Sequence, residues 1–227
     1  MLMERDLATA TPAPPRIRQT LRLVPARPEA WAALRDHLET IAAHDPYTAA
    51  HSRRVAATAT HLARLMGMDG AAVEIIRQAS LVHDLGKIRV PTTILNKAER
   101  PTGDELDLIR SHSMHGGMIL EGTPGLERLA PIVYHHHEHW DGSGYPSGLS
   151  ETKIPLESRI ILVADAFDAM TSSRPYQPGI GPAEALTEID RCAGQQFDPR
   201  VACIMQLAAE EPHLRLMEAG AEPSAVR

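Results

Sequence analysis

Apolar residues recur along most of this chain at intervals of three and four, the spacing that lines one face of a helix. Trp31, Leu34, Leu38 and Ile41 make the first such stripe. A second helix is predicted over 46–66, with His51, Val55, Thr58, Leu62 and Leu65 inward and Gly67 ending it. A third covers 70–83, burying Val73, Ile76 and Ser80. The stretch KIRVPTTILNKAERP reads as a loop, after which Thr102–Glu105 spells a capping box. One helix from Gly103 to Gly122 then carries Leu108, His112, His115 and Ile119 on one face. Another is expected over 125–138, turning Leu126, Leu129, Val133 and His136 or His137 inward. DGSGYPSGLSETKIP is a long turn-rich loop. Helices over 155–169, where Ile161, Asp165 and Asp168 share a face, 182–193 and 199–210 complete the pattern. No strand and no internal repeat emerges, so the fold class is all-α, a helical bundle with one long loop. Residues 1–28, with five prolines and little periodicity, read as a flexible leader; 29–210 form the bundle, and 211–227 a fraying tail.

Composition narrows the picture. At 227 residues the chain buries a core without needing disulfides or a structural metal to fold. Aromatic residues are 4%, against a β-sandwich or barrel. No segment suits a membrane span, and the N-terminus has no secretory apolar stretch. Two cysteines make no disulfide framework, so a reducing cytoplasm is the expected location. Net charge is −6, and since residues 1–30 are net basic, the remainder is more acidic still. That disfavours polymeric nucleic acid as a partner while leaving room for a small anion. Histidine is the unusual count, at twelve.

Those histidines are placed rather than scattered. His51, His83-Asp84, His112 and Asp165 lie on faces that the apolar pattern turns inward. A lone buried His or Asp is costly and is ordinarily a satisfied core residue. Several helices each pointing one inward make sense when the groups satisfy one another or hold cations, as in two-metal helical bundles. Asp84, with two carboxylate oxygens, is the candidate bridge. Of His135, His136 and His137, at most two can face one site, because successive helical residues point about 100° apart.

HDLGK at 83–87, YTAAHS at 47–52, HHEHWDGSGYP at 136–146 and RIILVADAFDAMTSSRPY at 159–176 together resemble the HD-GYP phosphodiesterases, a group of the HD-domain metal-dependent phosphohydrolases. The resemblance spans about residues 44–205. It implies an HD-domain helical bundle that hydrolyses cyclic di-GMP to pGpG or GMP by a metal-bridged hydroxide. It further implies two divalent ions, iron or manganese, held by His51, His83, Asp84, His112, His136, His137 and Asp165. One ion takes His51, His83, Asp84 and Asp165; the other takes Asp84, His112, His136 and His137. Lys87 is expected at the phosphoryl oxygens, Arg174 at the substrate's other phosphate, and Tyr145 either on guanine or as a pin for its loop. Asp168 is expected to orient a ligand. Many members of the group carry an added sensory or receiver domain, for which the 28-residue leader is too short. A cyclic dinucleotide is the expected partner, and a homodimer is left open.

Three positions depart from the group's pattern. Tyr47 stands where some members place a carboxylate for a third metal, which predicts two ions here. His139 and Gln177 replace commonly basic residues. The alternatives are therefore a phosphohydrolase for another nucleotide, or a non-catalytic binding module. The second is disfavoured because every ligand position is filled.

Overall fold

A computed structural model of the protein describes residues 28–97, 99–172 and 178–210. Residues 1–27 of the expected leader, Arg174, Gln177 and the tail lie outside the described residues. The order is α1 (Pro28–His44), α2 (Pro46–Leu65), α3 (Gly70–Val82), a 3₁₀ turn (Leu85–Arg89), α4 (Thr92–Leu95), α5 (Gly103–Arg110), α6 (His112–Glu121), a 3₁₀ turn (Glu127–Leu129), α7 (Ala130–Tyr134), a 3₁₀ turn (Glu151–Lys153), α8 (Leu156–Thr171), α9 (Pro182–Arg191) and α10 (Pro199–Glu210). No strand occurs among the described residues; Ala193 and Phe197 form one isolated bridge. The all-α expectation holds.

Local chemistry sets these boundaries. Asp45 caps α2 by accepting from the Tyr47 N–H, and Pro46 occupies the first turn. Asp69 accepts from the Ala71 and Ala72 N–H groups at the start of α3. The Thr102–Glu105 capping box forms in both directions. Gly67, at φ +75°, takes the left-handed conformation that lets the chain leave α2.

The bundle is organised around α2, which packs on α3 and α8, while α6 packs on α7 and on the turn after α3. Val55, Leu62, Ile76, Leu129 and Ile161 are fully buried between these helices. Each such side chain contributes about 1.5–3 kcal/mol.

The sequence pattern differs from the structure in several places. Of the first stripe, Leu34 and Ile41 are buried and Leu38 packs against the core, but Trp31 is 40% exposed under the Arg77 guanidinium and Ala30 is buried in its place. Leu65 is exposed at the end of α2. The loop after Lys87 contains α4 and part of a 3₁₀ turn. The helix expected over 103–122 is two helices. The carbonyls of Leu108, Ile109 and Arg110 accept from Ser111 Oγ, His112 Nδ1 and Ser113 Oγ at 2.6, 2.7 and 3.3 Å. Side chains compete there with the helical N–H groups. The helix expected over 125–138 ends at Tyr134, so His136 and His137 sit on a turn.

Candidate metal centre

Five segments bring ionisable side chains to one buried place. Mid-α2 supplies His51, the end of α3 supplies His83 and Asp84, the start of α6 supplies His112, the turn after α7 supplies His136 and His137, and α8 supplies Asp165. Asp84 lies between two sets. Its Oδ2 is 3.9 Å from His51 Nε2 and 3.5 Å from His83 Nε2, and its Oδ1 is 3.4 Å from His112 Nε2. His112 Nε2 is in turn 3.3 Å from His136 Nε2 and 3.2 Å from His137 Nε2. Asp165 Oδ1 is 3.0 Å from His51 Nε2.

The ring orientations follow from helix ends. The last carbonyls of a helix lack intrahelical partners. His83 Nδ1 donates to Ser80 O at 2.7 Å, His112 Nδ1 to Ile109 O at 2.7 Å, and His136 Nδ1 to Val133 O at 2.6 Å. A carbonyl only accepts, so each Nδ1 carries a proton and each ring turns its Nε2 inward, the atom that offers a lone pair to a metal when the ring is neutral. His51 sits inside α2, where nearby carbonyls are engaged in the helix. Its Nδ1 instead meets Asp168 Oδ2 at 2.7 Å, and Asp168 is gripped by Arg54 through Nε at 2.6 Å and Nη2 at 2.9 Å.

Burial decides the charge states of three of the imidazoles. It pulls the His112 pKa down to about 4, Asp84 opposing and Lys87 assisting. Burial, then the neighbouring His112, lowers His137 to about 3, and burial with the adjacent imidazoles holds His136 well below its usual range. His51 goes the other way. Burial lowers it, but Asp165, Asp168 and Asp84 outweigh burial and raise it to about 9. Burial would raise the Asp84 and Asp165 carboxyls; the surrounding imidazoles, with Lys87 for Asp84, hold both well below the usual carboxylate range.

Cations fit this arrangement. His112 and His136 present lone pairs to each other at 3.3 Å, a contact that repels unless a positive charge lies near both. His83 Nε2 is buried without a hydrogen-bond partner. Two groups have ligand atoms mutually within 4.8 Å, His51–His83–Asp84 and His112–His136–His137. The donor sets are thus two His/Asp clusters consistent with a binuclear metal site. Imidazole and carboxylate donors suit first-row transition ions.

The other candidates fall as follows. Lys87 Nζ donates to Asp84 Oδ2 at 2.7 Å, so it lies beside the centre. Tyr145 stacks on His137 with ring centroids 4.9 Å apart, and the Arg110 guanidinium lies 5.7 Å from the Tyr145 ring. Arg174 lies outside the described residues. His135 turns away, toward Glu138 at 3.3 Å, and His115 sits near Ser111 at 3.4 Å; neither joins a cluster.

Three contributors went unread in the sequence. Arg54 follows another arginine in HSRR, and no spacing distinguishes the two. Glu138, buried after the two histidines, accepts from the Ser147 and Leu149 N–H groups at 2.7 and 3.1 Å and so ties down the far side of the loop. Gly86 lets the turn after Asp84 press against α6, because a Cβ there would strike the His112 carbonyl and lie 2.6 Å from the Gly116 nitrogen. The HDLGK glycine was a visible signal, but its partner was not.

Comparison with known proteins adds the following. A family model described as HD domain matches residues 37–201. A cyclic di-GMP phosphodiesterase of Thermotoga maritima is 41% identical over 159 residues, which is 69% of this chain and 43% of that protein. A 3'3'-cGAMP-specific phosphodiesterase of Vibrio cholerae is 34% identical over 166 residues, 73% of this chain and 36% of that protein. The chain thus spans less than half the length of these relatives. Among solved structures, an HDG"Y"P protein of Bdellovibrio bacteriovorus superposes with a TM-score of 0.62 at 17% identity, covering 80% of this chain and 63% of that one. At that identity the likeness shows the fold. No helix among the described residues is long and apolar enough to cross a membrane.

Proposed function

Because this chain belongs to the HD domain family, we propose that it is a metal-dependent phosphodiesterase that hydrolyses cyclic di-GMP to pGpG or GMP. The observation that carries this is Asp84 standing between two imidazole sets, 3.5 Å from His83 on one oxygen and 3.4 Å from His112 on the other. His51, His83, Asp84 and Asp165 would hold one ion; Asp84, His112, His136 and His137 would hold the second. Iron or manganese matches these donors. Bound ions of this kind supply Lewis-acid activation of water and charge neutralisation at a phosphoryl group.

The protein's own groups do the rest. Lys87 places an ammonium beside the shared carboxylate, where it offsets charge growing on phosphoryl oxygens. Tyr145, partly buried and stacked on His137, forms a wall of the centre, and Arg110 beside it adds a guanidinium suited to a phosphate or a guanine face. Arg174 is assigned the substrate's second phosphate on the resemblance of its motif alone.

The test is incubation of reduced, manganese- or iron-loaded protein with cyclic di-GMP. The expected products are pGpG or GMP, abolished by D84A. No turnover with either metal would overturn the proposal. A second reading, a preference for another cyclic dinucleotide, draws on the 3'3'-cGAMP-specific relative and on His139 in a commonly basic position. Parallel assays with 3'3'-cGAMP and linear pGpG separate it from the first.

A further inference from the structure

Four of the five candidate ligand histidines, all but His137, are oriented in one of two different ways. His83, His112 and His136 each use a carbonyl three residues earlier, freed at the end of the preceding helix. Those supports are backbone and cannot move without unwinding a helix end. His51 has no such carbonyl. Its support is a side chain on another helix, Asp168 of α8, at 2.7 Å.

Asp168 is itself held from several sides. Arg54 Nε donates to Oδ1, while Arg54 Nη2 and Ser172 Oγ approach Oδ2 at 2.9 and 3.3 Å. Nη2 also reaches Ser172 Oγ at 3.2 Å. Arg54 stands three residues after His51 on the same helix, so both address one carboxylate. A bidentate guanidinium fixes the plane of that carboxylate as no single-point cation can.

We infer that Arg54 is a positioning residue for only one of the two ions. Through Asp168 it fixes the His51 ring, and with it the affinity of the half built on His51 and His83. The half built on His112, His136 and His137 does not depend on it. This inference rests on the two-ion reading proposed above. Partners that orient a metal-binding histidine typically alter metal affinity by about 10–100-fold when removed.

The test is a Mn²⁺ titration of reduced, chelator-stripped full-length protein, followed by the EPR signal of free Mn²⁺, which yields a dissociation constant for each ion. R54A is expected to weaken one constant by about 10–100-fold and leave the other unchanged. R54K, which keeps the charge without the fork, is expected to recover part of the loss. A thermal melt of each variant in chelator reports on folding, and should R54A not fold, R54K is read by the same two constants. The inference is overturned if Arg54 replacement leaves both constants unchanged or weakens both equally. Fewer than two Mn²⁺ bound by the unsubstituted protein would instead overturn the two-ion reading.

Discussion

His51 and His112 face the same carboxylate and hold opposite charge states at neutral pH. His51, raised to about 9 by Asp165, Asp168 and Asp84 against burial, is an imidazolium in the ion-free protein. His112, lowered to about 4 by burial, is neutral. An ion entering the His51 half must therefore displace a proton, whereas one entering the His112 half need not. Affinity of the first half should rise as pH climbs from about 7 toward 9, with proton release seen by calorimetry in buffers of different ionisation enthalpy. The second half should be flat over that range; equal slopes for both would contradict the assignment. For stability of the ion-free protein the signs also differ. The His51 contribution is complete below its ordinary value and is lost as pH rises through about 9. The neutral His112 and His137 contribute above their ordinary value, and that contribution is lost as pH falls through about 4 and about 3 respectively. Of the candidate ligands, His51, His83, Asp84, His112 and Asp165 were legible because each stood among apolar neighbours, whereas His136 and His137 came from the motif resemblance. Arg54 was not legible, since its role exists only once α8 brings Asp168 to it.

The same helix ends that orient the candidate ligands were the hardest elements to read. Periodicity of Leu108, His112, His115 and Ile119 suits one helix, and only the side-chain capture of three successive carbonyls divides it. Packing at that junction is tight. G86A forces a methyl group into the His112 carbonyl, an overpacking expected to cost about 1–3 kcal/mol and to push His112 away from Asp84. A lowered Tm together with weakened metal binding is the expected result; an unchanged Tm would refute the close approach. On the far side of the GYP loop, Arg159 donates to buried Asp198 at 2.6 Å and lies 5.7 Å from the Trp140 ring. R159A leaves Asp198 buried with only exposed Arg200 against it. A loss of about 3 kcal/mol is expected in urea unfolding, and a change under about 0.5 kcal/mol, the range of an ordinary surface substitution, would show the pair to be incidental.

Across the whole molecule, the proposed ions join α2, α3, α6, α8 and the turn after α7, while the apolar core joins those helices independently. Chelation should therefore lower Tm without unfolding the bundle. At a free metal concentration 100-fold above Kd, one ion adds about 2.7 kcal/mol, or roughly 5–10 °C for a domain of this size. Unfolding on chelation at room temperature would mean the core is insufficient alone. The all-helical class and most helix starts were legible from stripes and caps, because these are local. Convergence of five segments on one place is tertiary: the inward-facing His and Asp positions suggested it, and the motif resemblance supplied His136 and His137. The most direct test of that convergence is metal content per chain on reduced, anaerobically purified protein beside its D84A variant. Two ions per chain, falling to one or none in D84A, is the predicted result; fewer than two in the unsubstituted protein, or two retained without Asp84, would contradict it.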